Sequence, residues 1–416
     1  MNEADGTFTR SISARRAWLL VGFMWVAYFL NYTDRQVVFS IFPILKSELK
    51  FTDTQLGLTG SIFLWVYALC SPIAGQIGDR FSKRMLVVLS LVLWSGVTFL
   101  TGWSSSAKML LICRALIGVT ESMFVPVAMA LTAAAHAPGT RSRAVALLAT
   151  AQLGGVVMGG WYGGVIAERL YWRMAFYSLG LTGICYAVPY LSFLKSVPEE
   201  MQPRTSRAGK GLAVLTLARI PSYRFMCLAF PAFTFALWLL YTWLPNFLYE
   251  KFSLSLADAG LTATLYVQGA TLCGMICGGT LADWLYRRTK AARWWLVSAG
   301  MFLCAPCLHL IGSTSSLFLM NLAATGFGLF SGFCLANFIV SSFDVVPTAT
   351  QASAVGCLNL IGGFIAGFAA LLGGVWKQTL GINNLMSCGA LATLLGGLLL
   401  VYSIRRHFDR DHACLH

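Results

Sequence analysis

The segment GQIGDRFSKR at residues 75–84 recurs as GTLADWLYRR at residues 279–288, 204 positions later. Both copies keep a glycine, an aspartate four positions on and a basic pair at the end, in the same order. Each copy ends one long uncharged run and precedes another. A repeat at this distance indicates that the chain consists of two related halves.

A second match strengthens the duplication. Ala144-Val145 and Gly163-Gly164 reappear as Ala354-Val355 and Gly373-Gly374, each shifted by 210 positions. Small residues cluster in the same two runs and allow helices to approach closely where the halves slide past each other. These are Gly154, Gly155, Gly159, Gly160, Gly362, Gly363 and Gly367.

The composition makes the bilayer the expected solvent, because 57% of the 416 residues are hydrophobic and only 11% are charged. A helix needs about 20 apolar residues to cross a membrane. Twelve runs qualify, and the sequence therefore predicts an all-α membrane protein with twelve transmembrane helices in two pseudo-symmetric six-helix bundles. The runs begin near Trp18, Leu56, Met85, Met109, Ala144, Ala175, Phe225, Leu261, Trp294, Leu317, Ser353 and Leu385.

The net charge of +14 follows from topology. With both termini inside, 21 of the 30 Lys and Arg residues fall in cytoplasmic segments, seven fall on the opposite side, and Arg35 and Arg114 lie within the membrane. This asymmetry is the positive-inside rule, so nucleic acid is not an expected partner. The polar residues 1–17 lead into the first run without a cleavage site, which favours an uncleaved anchor. We expect a multi-pass protein of the cell inner membrane.

A polar stretch separates the sixth and seventh runs and is rich in Pro, Arg, Lys and Ser. We interpret it as a linker between the halves. The predicted units are an N-terminal six-helix bundle at 1–195 with a cytoplasmic tail at 1–17, a cytoplasmic linker at 196–223, and a C-terminal six-helix bundle at 224–416 with a short cytoplasmic tail.

Four ionisable residues lie inside predicted spans: Asp34 and Arg35 in the first, Arg114 and Glu121 in the fourth. A charge at the centre of a spanning helix costs roughly 2.5–3.5 kcal/mol, so each indicates a function. Arg114, Gly118 and Glu121 share one helical face. Two purely structural salt bridges are the alternative, but buried pairs are poor stabilisers. We expect Asp34 and Glu121 to carry protons, because burial favours a neutral carboxyl, and Arg35 and Arg114 to attract an anion.

The second half differs, because the central portions of its spans contain no Asp, Glu, Lys or Arg. It offers aromatic and amide side chains at membrane depth, which suit hydroxyl groups and ring faces of a ligand or hold helices together. These residues are Trp238, Tyr241, Trp243, Tyr266, Gln268, Asn337 and Asn359.

The segment at 75–84 resembles the signature loop between the second and third helices of the major facilitator superfamily. The resemblance covers nearly the whole chain and implies a charged cytoplasmic gate that closes in the outward-facing state. Phe81 departs from the family pattern, which often has a small residue there. The gate residues implied by the two copies are Gly75, Asp79, Arg80, Lys83, Arg84, Asp283, Arg287 and Arg288.

Three motifs resemble the anion:cation symporter family within that superfamily: Asn31-Tyr-Thr-Asp-Arg35, Arg114 with Glu121, and Tyr241-Thr-Trp-Leu-Pro245 followed by SLADAG at 255–260. Members import sugar acids or other carboxylates, usually with protons. The resemblance implies that Asp34 and Glu121 are the protonatable pair and that Arg35 lies near the substrate. It places further polar residues at the site, and the substrate-binding set is Arg35, Arg114, Tyr67, Gln152, Asn359, Asn31 and Tyr241.

The predicted function is proton-coupled symport of an organic anion by alternating access, carried out by a monomer without cofactor or metal. A spinster-like lysolipid or drug exporter is the nearest alternative, and a non-transporting membrane sensor is an alternative of another class. An enzyme is disfavoured because the intramembrane charges form no Ser-His-Asp, Cys-His or metal-ligand constellation. We interpret Cys304 and Cys307, within the ninth run, as packing residues.

Overall fold

The computed structural model describes residues 13–80, 82–196 and 216–414, and the secondary structure of these ranges is helical. The helices are α1 (Ala14–Ser40), α2 (Phe42–Glu48), α3 (Asp53–Arg80), α4 (Lys83–Gly102), α5 (Ala107–Ser122), α6 (Phe124–Ala135), α7 (Pro138–Arg169), α8 (Trp172–Lys195), α9 (Pro221–Phe252), α10 (Leu256–Tyr286), α11 (Ala292–Ser313), α12 (Leu317–Ser342), α13 (Gln351–Lys377), α14 (Gly381–Ser403) and α15 (Asp409–Ala413). A 3₁₀ turn at Thr348–Thr350 precedes α13, and a π-helical turn at Ile404–Phe408 joins α14 to α15.

Serine side chains begin several of these helices. The hydroxyls of Ser13, Ser106, Ser255 and Ser316 each accept a hydrogen bond from the backbone N–H three residues later. Each cap satisfies a backbone donor that the first helical turn cannot satisfy itself. Apolar residues fill the helices that follow, as the bilayer requires of a segment whose backbone polar groups all bond internally.

Eleven helical segments of the described residues are long and apolar enough to cross a membrane. The first predicted span corresponds to α1, which is not among these eleven segments and makes the twelfth. This helix is 27 residues long and carries Asp34 and Arg35 in its second half. The fourth span is interrupted at Met123, where α5 ends and α6 begins. Pro126 explains the break, because a proline lacks an N–H and its ring clashes with the carbonyl four residues earlier.

The spans form two bundles of six. The N-terminal bundle contains α1 and α3 to α8, and the C-terminal bundle contains α9 to α14. The main contacts between the bundles are α3 with α13 and α7 with α10. The repeat in the sequence relates α3 to α10 and α7 to α13, so these two contacts are equivalent under exchange of the halves. This arrangement confirms the predicted fold class.

Polar contacts between the bundles lie where α1 ends and α3 begins, which we call the closed end. Asp53 forms an ion pair with Lys377 at 3.5 Å and accepts a hydrogen bond from Gln378 Nε2 at 3.2 Å. Glu168 Oε1 accepts from the backbone N–H of Leu256 at 2.5 Å and so caps α10 across the interface. A carboxylate there is favoured by the partial positive charge of a helix amino terminus.

Deeper contacts continue toward mid-membrane. Ser61 Oγ donates to the Gly367 carbonyl at 2.7 Å, and Trp65 Nε1 donates to the Phe364 carbonyl at 3.0 Å. The interfacial hydrogen bonds and ion pairs of the described bundles extend no further than Trp65 along α3. The opposite end, where α1 begins, we call the open end.

Glycines permit the close crossings, as the sequence predicts. A Cβ on Gly160 would lie 2.6 Å from the Gly260 carbonyl oxygen across the interface of α7 and α10. A Cβ on Gly57 would lie 2.6 Å from the Ala370 carbonyl oxygen between α3 and α13. These contacts leave no room for a side chain, so both equivalent crossings depend on glycine.

Candidate substrate and proton site

A cavity of about 530 Å³ lies between the two bundles. Both halves of the repeat contribute to it, through α1, α6 and α7 on one side and α9, α10, α12 and α13 on the other. Its polar lining residues are Tyr32, Arg35, Gln36, Gln152, Thr234, Tyr241, Gln268 and Asn359. The cavity is large enough to hold a small organic molecule.

Arg35 reaches this cavity from α1 and is paired with a carboxylate behind it. Its Nε donates to Glu121 Oε2 at 2.5 Å, joining α1 to α5. Arg35 is 8% exposed and Glu121 is fully buried. Within the described part of the chain, Arg35 Nη2 has no hydrogen-bond partner. The guanidinium therefore pairs with an internal carboxylate through Nε and leaves the buried Nη2 without a hydrogen-bond partner.

Three aromatic rings surround the Arg35 guanidinium. Its Cζ lies 4.6 Å from the centre of the Tyr32 ring, 4.9 Å from that of Phe63 and 4.8 Å from that of Tyr67. Cation–π contacts of this kind stabilise a planar cation that is largely removed from water. They fix the orientation of the guanidinium independently of its ion pair.

Arg114 lies one layer deeper. Its Nε donates to the Thr59 carbonyl at 3.2 Å, and its Cζ lies 4.8 Å from the Phe63 ring centre. The side chain is fully buried and is not among the lining residues of the cavity. The Phe63 ring therefore contacts both guanidiniums. Gly118 lets α5 approach α3 here, since a Cβ on it would lie 2.8 Å from the Phe63 carbonyl oxygen.

Asp34 points away from the main cavity. Its Oδ2 accepts a hydrogen bond from the hydroxyl of Thr98 on α4. The carboxylate lines a small separate pocket with Leu30, Trp94 and Gly183, and Asp34 is 2% exposed. Of the four intramembrane charged residues, Arg35 and Glu121 lie within ion-pair distance of each other, and Asp34 and Arg114 do not form a second ion pair.

The structure brings several of the predicted substrate residues together at the cavity. Arg35, Gln152, Tyr241 and Asn359 line it. The other three predicted residues lie behind the lining: Tyr67 against Arg35, Asn31 beside the Glu121 carboxylate, and Arg114 behind Phe63. Their role in binding an anion stays a prediction.

The seven aromatic and amide residues singled out in the C-terminal bundle divide into three groups. Trp238, Tyr241, Gln268 and Asn359 face the cavity. Trp243 and Asn337 hold helices together: Trp243 Nε1 donates to the Ala370 carbonyl at 3.0 Å, and Asn337 Nδ2 donates to the Gly278 carbonyl at 3.1 Å. Tyr266 is 40% exposed and lies outside the lining.

The predicted gate residues of the first copy are only partly described. The side chains of Gly75, Asp79 and Arg80 lie outside the described residues. Lys83 is buried at the start of α4, and Arg84 Nη1 donates to the Leu194 carbonyl at 3.3 Å. The role of these residues in gating stays a prediction.

In the second copy, the aspartate Asp283 has its ion-pair contact with Arg293 and not with the two arginines of the motif. Asp283 lies 3.6 Å from Arg293, which also pairs with Asp344 at 2.8 Å. Burial raises the pKa of Asp344, and the nearby guanidinium opposes that rise. Arg288 instead lies over the Trp284 ring, and Arg287 is exposed.

Sequence reasoning missed the partners that hold the charged residues in place. Tyr32 and Phe63 contact Arg35, and Thr98 donates to Asp34. Tyr32 stands within the motif that contains Asp34 and Arg35, so its position carried a signal. Phe63 and Thr98 lie in ordinary apolar runs, where nothing distinguishes them from packing residues.

The sequence profile of the Major Facilitator Superfamily matches residues 24–371. This match covers most of the chain and includes helices of both bundles. The protein therefore belongs to the Major Facilitator Superfamily and is a multi-pass membrane transporter of that type.

Among its relatives, the chain is similar to a probable sulfoacetate transporter of Cupriavidus necator, with 30% identity over 66% of this chain and 67% of the relative. It is also similar to a probable L-galactonate transporter of Escherichia coli, with 24% identity over 97% of this chain and 92% of the relative. The crystal structure of a bacterial homolog of the human lysosomal transporter Spinster, inward-facing and occupied, has the same fold, with a TM-score of 0.82 and 19% identity over 96% and 99% of the two chains.

Proposed function

We propose that the protein is a proton-coupled symporter of an organic anion, a sugar acid or another carboxylate. The observation that carries this proposal is the position of Arg35, which faces the cavity between the bundles and is paired at 2.5 Å with the buried carboxylate of Glu121. A single guanidinium thereby stands between an internal anion and the place where an external one would bind.

Proton coupling follows from competition for that guanidinium. When Glu121 is ionised, Arg35 is neutralised by it and attracts a second anion weakly. When Glu121 takes a proton, the ion pair is broken and the positive charge of Arg35 becomes available to the substrate. A buried unpaired charge is unfavourable, so protonation without an anion, or an anion without protonation, is disfavoured. The anion and the proton therefore bind together.

Asp34 is the second proposed proton carrier. Its carboxylate is buried in a pocket of its own and accepts a hydrogen bond from the Thr98 hydroxyl, so it does not contact a substrate in the main cavity. Protonation of Asp34 changes the contact between α1 and α4 rather than the charge of the cavity. We assign it to the energetics of the conformational change.

Alternating access follows from the asymmetry of the interface. The closed end carries the polar contacts of Asp53 and Glu168, whereas the cavity lies beyond them toward the open end. By the positive-inside distribution, the open end faces the cytoplasm of the cell inner membrane and both termini are cytoplasmic. We assign this arrangement to the inward-facing state of a monomer. Asp79, Arg80 and their neighbours would close the cytoplasmic side in the outward-facing state.

The test is uptake into proteoliposomes of a labelled panel containing galactonate, glucuronate, glucarate, phthalate and 3-phenylpropionate. An inward proton gradient is imposed, with and without an uncoupler, and empty liposomes serve as the control. Uncoupler-sensitive accumulation of at least one acid supports symport. Uptake that ignores the gradient contradicts proton coupling, and silence across the panel contradicts the anion assignment.

A second candidate function is export of an amphiphilic lipid. A groove of about 480 Å³ lies between α7 and α10 and is lined by apolar residues such as Met158, Trp161 and Leu265. Leu153 and Gln268 line both this groove and the central cavity. A molecule with a head group in the cavity and a chain in the groove fits such a pair. Proton-dependent loss of fluorescent lysolipid from loaded vesicles, without uptake of any acid, would favour this function.

A further inference from the structure

The polar and apolar parts of the cavity lie at different depths. Arg35 and Gln36 stand in the last two turns of α1, toward the closed end, where Tyr241 and Gln268 also line the cavity. Leu335, Phe338 and Ile339 instead lie in the last two turns of α12, toward the open end. The cavity thus has a polar floor and a mouth lined mainly by apolar side chains, with Asn359 of α13 as the polar exception toward the open end.

Aromatic rings form much of that mouth. Phe230 lines it from α9, and its ring lies 5.0 Å edge-on from that of Phe338, which in turn stacks on Phe233 at 5.8 Å. Trp238 lies about two helical turns closer to the floor. Packed rings of this kind favour an apolar or aromatic surface over hydroxyl groups, whose hydrogen bonds to water they cannot replace.

The lining carries one charge. Among the described residues that line the cavity, Arg35 is the only ionisable side chain with a permanent charge. The second guanidinium of the bundle, Arg114, is fully buried behind the Phe63 ring and donates to a backbone carbonyl. An anion that meets Arg35 at the floor therefore finds no second cation along the mouth.

From this distribution we infer that the substrate is a monoanion with an apolar, ring-sized body. The inference rests on the proposed function and names its substrate class. The carboxylate or sulfonate of the substrate lies against Arg35 at the floor, where Gln36, Gln268 and Tyr241 supply uncharged hydrogen-bonding groups. The body of the substrate fills the mouth between Phe230, Phe338 and Ile339.

A dianion fits poorly because its second charge would lie in the mouth. A carboxylate moved from water to an apolar surface without a partner loses several kcal/mol of hydration. A polyhydroxylated monoanion avoids that charge but leaves its hydroxyls against apolar residues such as Leu335 and Phe338. The two features that matter are thus the number of charges and the polarity of the body.

The experiment separates these two features with four compounds. Gluconate and 3-phenylpropionate carry one carboxylate, and glucarate and 3-(4-carboxyphenyl)propionate are their counterparts with two. Each compound is added as a competitor to proteoliposomes of the full chain under an inward proton gradient. The measured quantity is the uptake of the best-transported labelled acid of the panel. We expect 3-phenylpropionate to compete best, with an inhibition constant at least about tenfold lower than that of any other.

A charge added at the mouth sharpens the test. Ile339 is half-buried and lines the cavity, so Ile339→Lys would supply a second cation. Ile339→Asn is the matched control, because it adds polarity without charge. We expect Ile339→Lys, but not Ile339→Asn, to lower the inhibition constant of 3-(4-carboxyphenyl)propionate relative to that of 3-phenylpropionate by about tenfold.

The outcomes distinguish the inference from the function on which it rests. Stronger competition by glucarate or gluconate than by 3-phenylpropionate, with proton-driven uptake intact, overturns the monoanion inference and leaves the symporter proposal standing. An equal response of both Ile339 variants to the second carboxylate also overturns it. Absence of proton-driven uptake for every acid overturns the proposed function itself.

Discussion

The two bundles share one fold but differ in where their charged residues lie. The N-terminal bundle buries Asp34, Arg35, Arg114 and Glu121 at membrane depth. The C-terminal bundle lines the same cavity with amide, hydroxyl and aromatic side chains and keeps charges such as Arg293 and Asp344 near the end of its helices.

This difference indicates that duplication gave two equivalent scaffolds, of which one came to hold the charges buried at membrane depth. Removal of a charge from the first bundle should uncouple transport from protons. Changes in the second bundle should alter which anion binds and leave the coupling intact. The following variants are expected to break or sharpen that division.

Glu121→Gln has the largest expected effect. The glutamine keeps the size of the side chain but cannot bind or release a proton. A gradient of one pH unit supplies about 1.4 kcal/mol per coupled proton, which is about tenfold accumulation. We expect Glu121→Gln to lose the part of the accumulation that is driven by the proton of Glu121. Unlabelled acid should still exchange with labelled acid across the membrane. Full accumulation by this variant would remove Glu121 from the coupling mechanism.

Asp34→Asn is expected to distinguish the role of the Asp34 carboxyl group from that of the Glu121 carboxyl group. Asp34 lies outside the main cavity, so its loss should lower accumulation under a proton gradient without weakening anion binding at fixed pH. Uptake assays and equilibrium binding measure the two effects separately. An equal loss of anion affinity in Asp34→Asn and Arg35→Ala would place Asp34 in the anion site instead.

Arg35→Lys tests the geometry of the anion site. A lysine keeps the charge but loses the planar fork and the stacking on Tyr32 and Tyr67. We expect anion affinity to fall by about tenfold or more, measured by competition binding. Tyr67→Phe is the control, because it keeps the ring that contacts Arg35 at 4.8 Å. Unchanged affinity in Arg35→Lys would contradict a role for the planar guanidinium in anion binding.

Trp238→Leu probes the second bundle. Loss of an aromatic contact in the cavity is expected to raise KM about fivefold, the equivalent of about 1 kcal/mol, with the proton dependence of uptake unchanged. Tyr266→Phe serves as the comparison, since Tyr266 lies outside the cavity lining. A changed proton dependence in Trp238→Leu would contradict the division of roles between the bundles.

Asp53→Asn has the smallest expected effect. It removes the charge that pairs with Lys377 across the interface and with Lys46 within the N-terminal bundle. We expect a severalfold shift toward a state in which the closed end opens. Spin labels at Ser47 and Ser313, both exposed on different bundles, report the separation. An unchanged distance distribution would contradict a role for Asp53 in holding the closed end shut.

The sequence predicted the fold because apolar runs and repeated loops depend on local composition. It also identified the four charged residues that the structure buries at membrane depth, since a charge in a spanning helix is costly and therefore conspicuous. It did not predict which charges pair: Arg35 pairs with Glu121 across 86 positions, while Arg114 contacts the Phe63 ring and donates to the Thr59 carbonyl. Those partners depend on how α1, α3 and α5 pack, and no local pattern records that packing.

The most direct test of shared binding at Arg35 is proton uptake on anion binding. Purified protein in weakly buffered detergent solution is mixed with the best-transported acid of the panel, and a pH indicator follows the medium. We expect the solution to become more alkaline as the anion displaces Glu121 from Arg35 and Glu121 takes a proton, with no such change in Glu121→Gln. Anion binding by the unmodified protein without proton uptake, or equal uptake by Glu121→Gln, would contradict the mechanism.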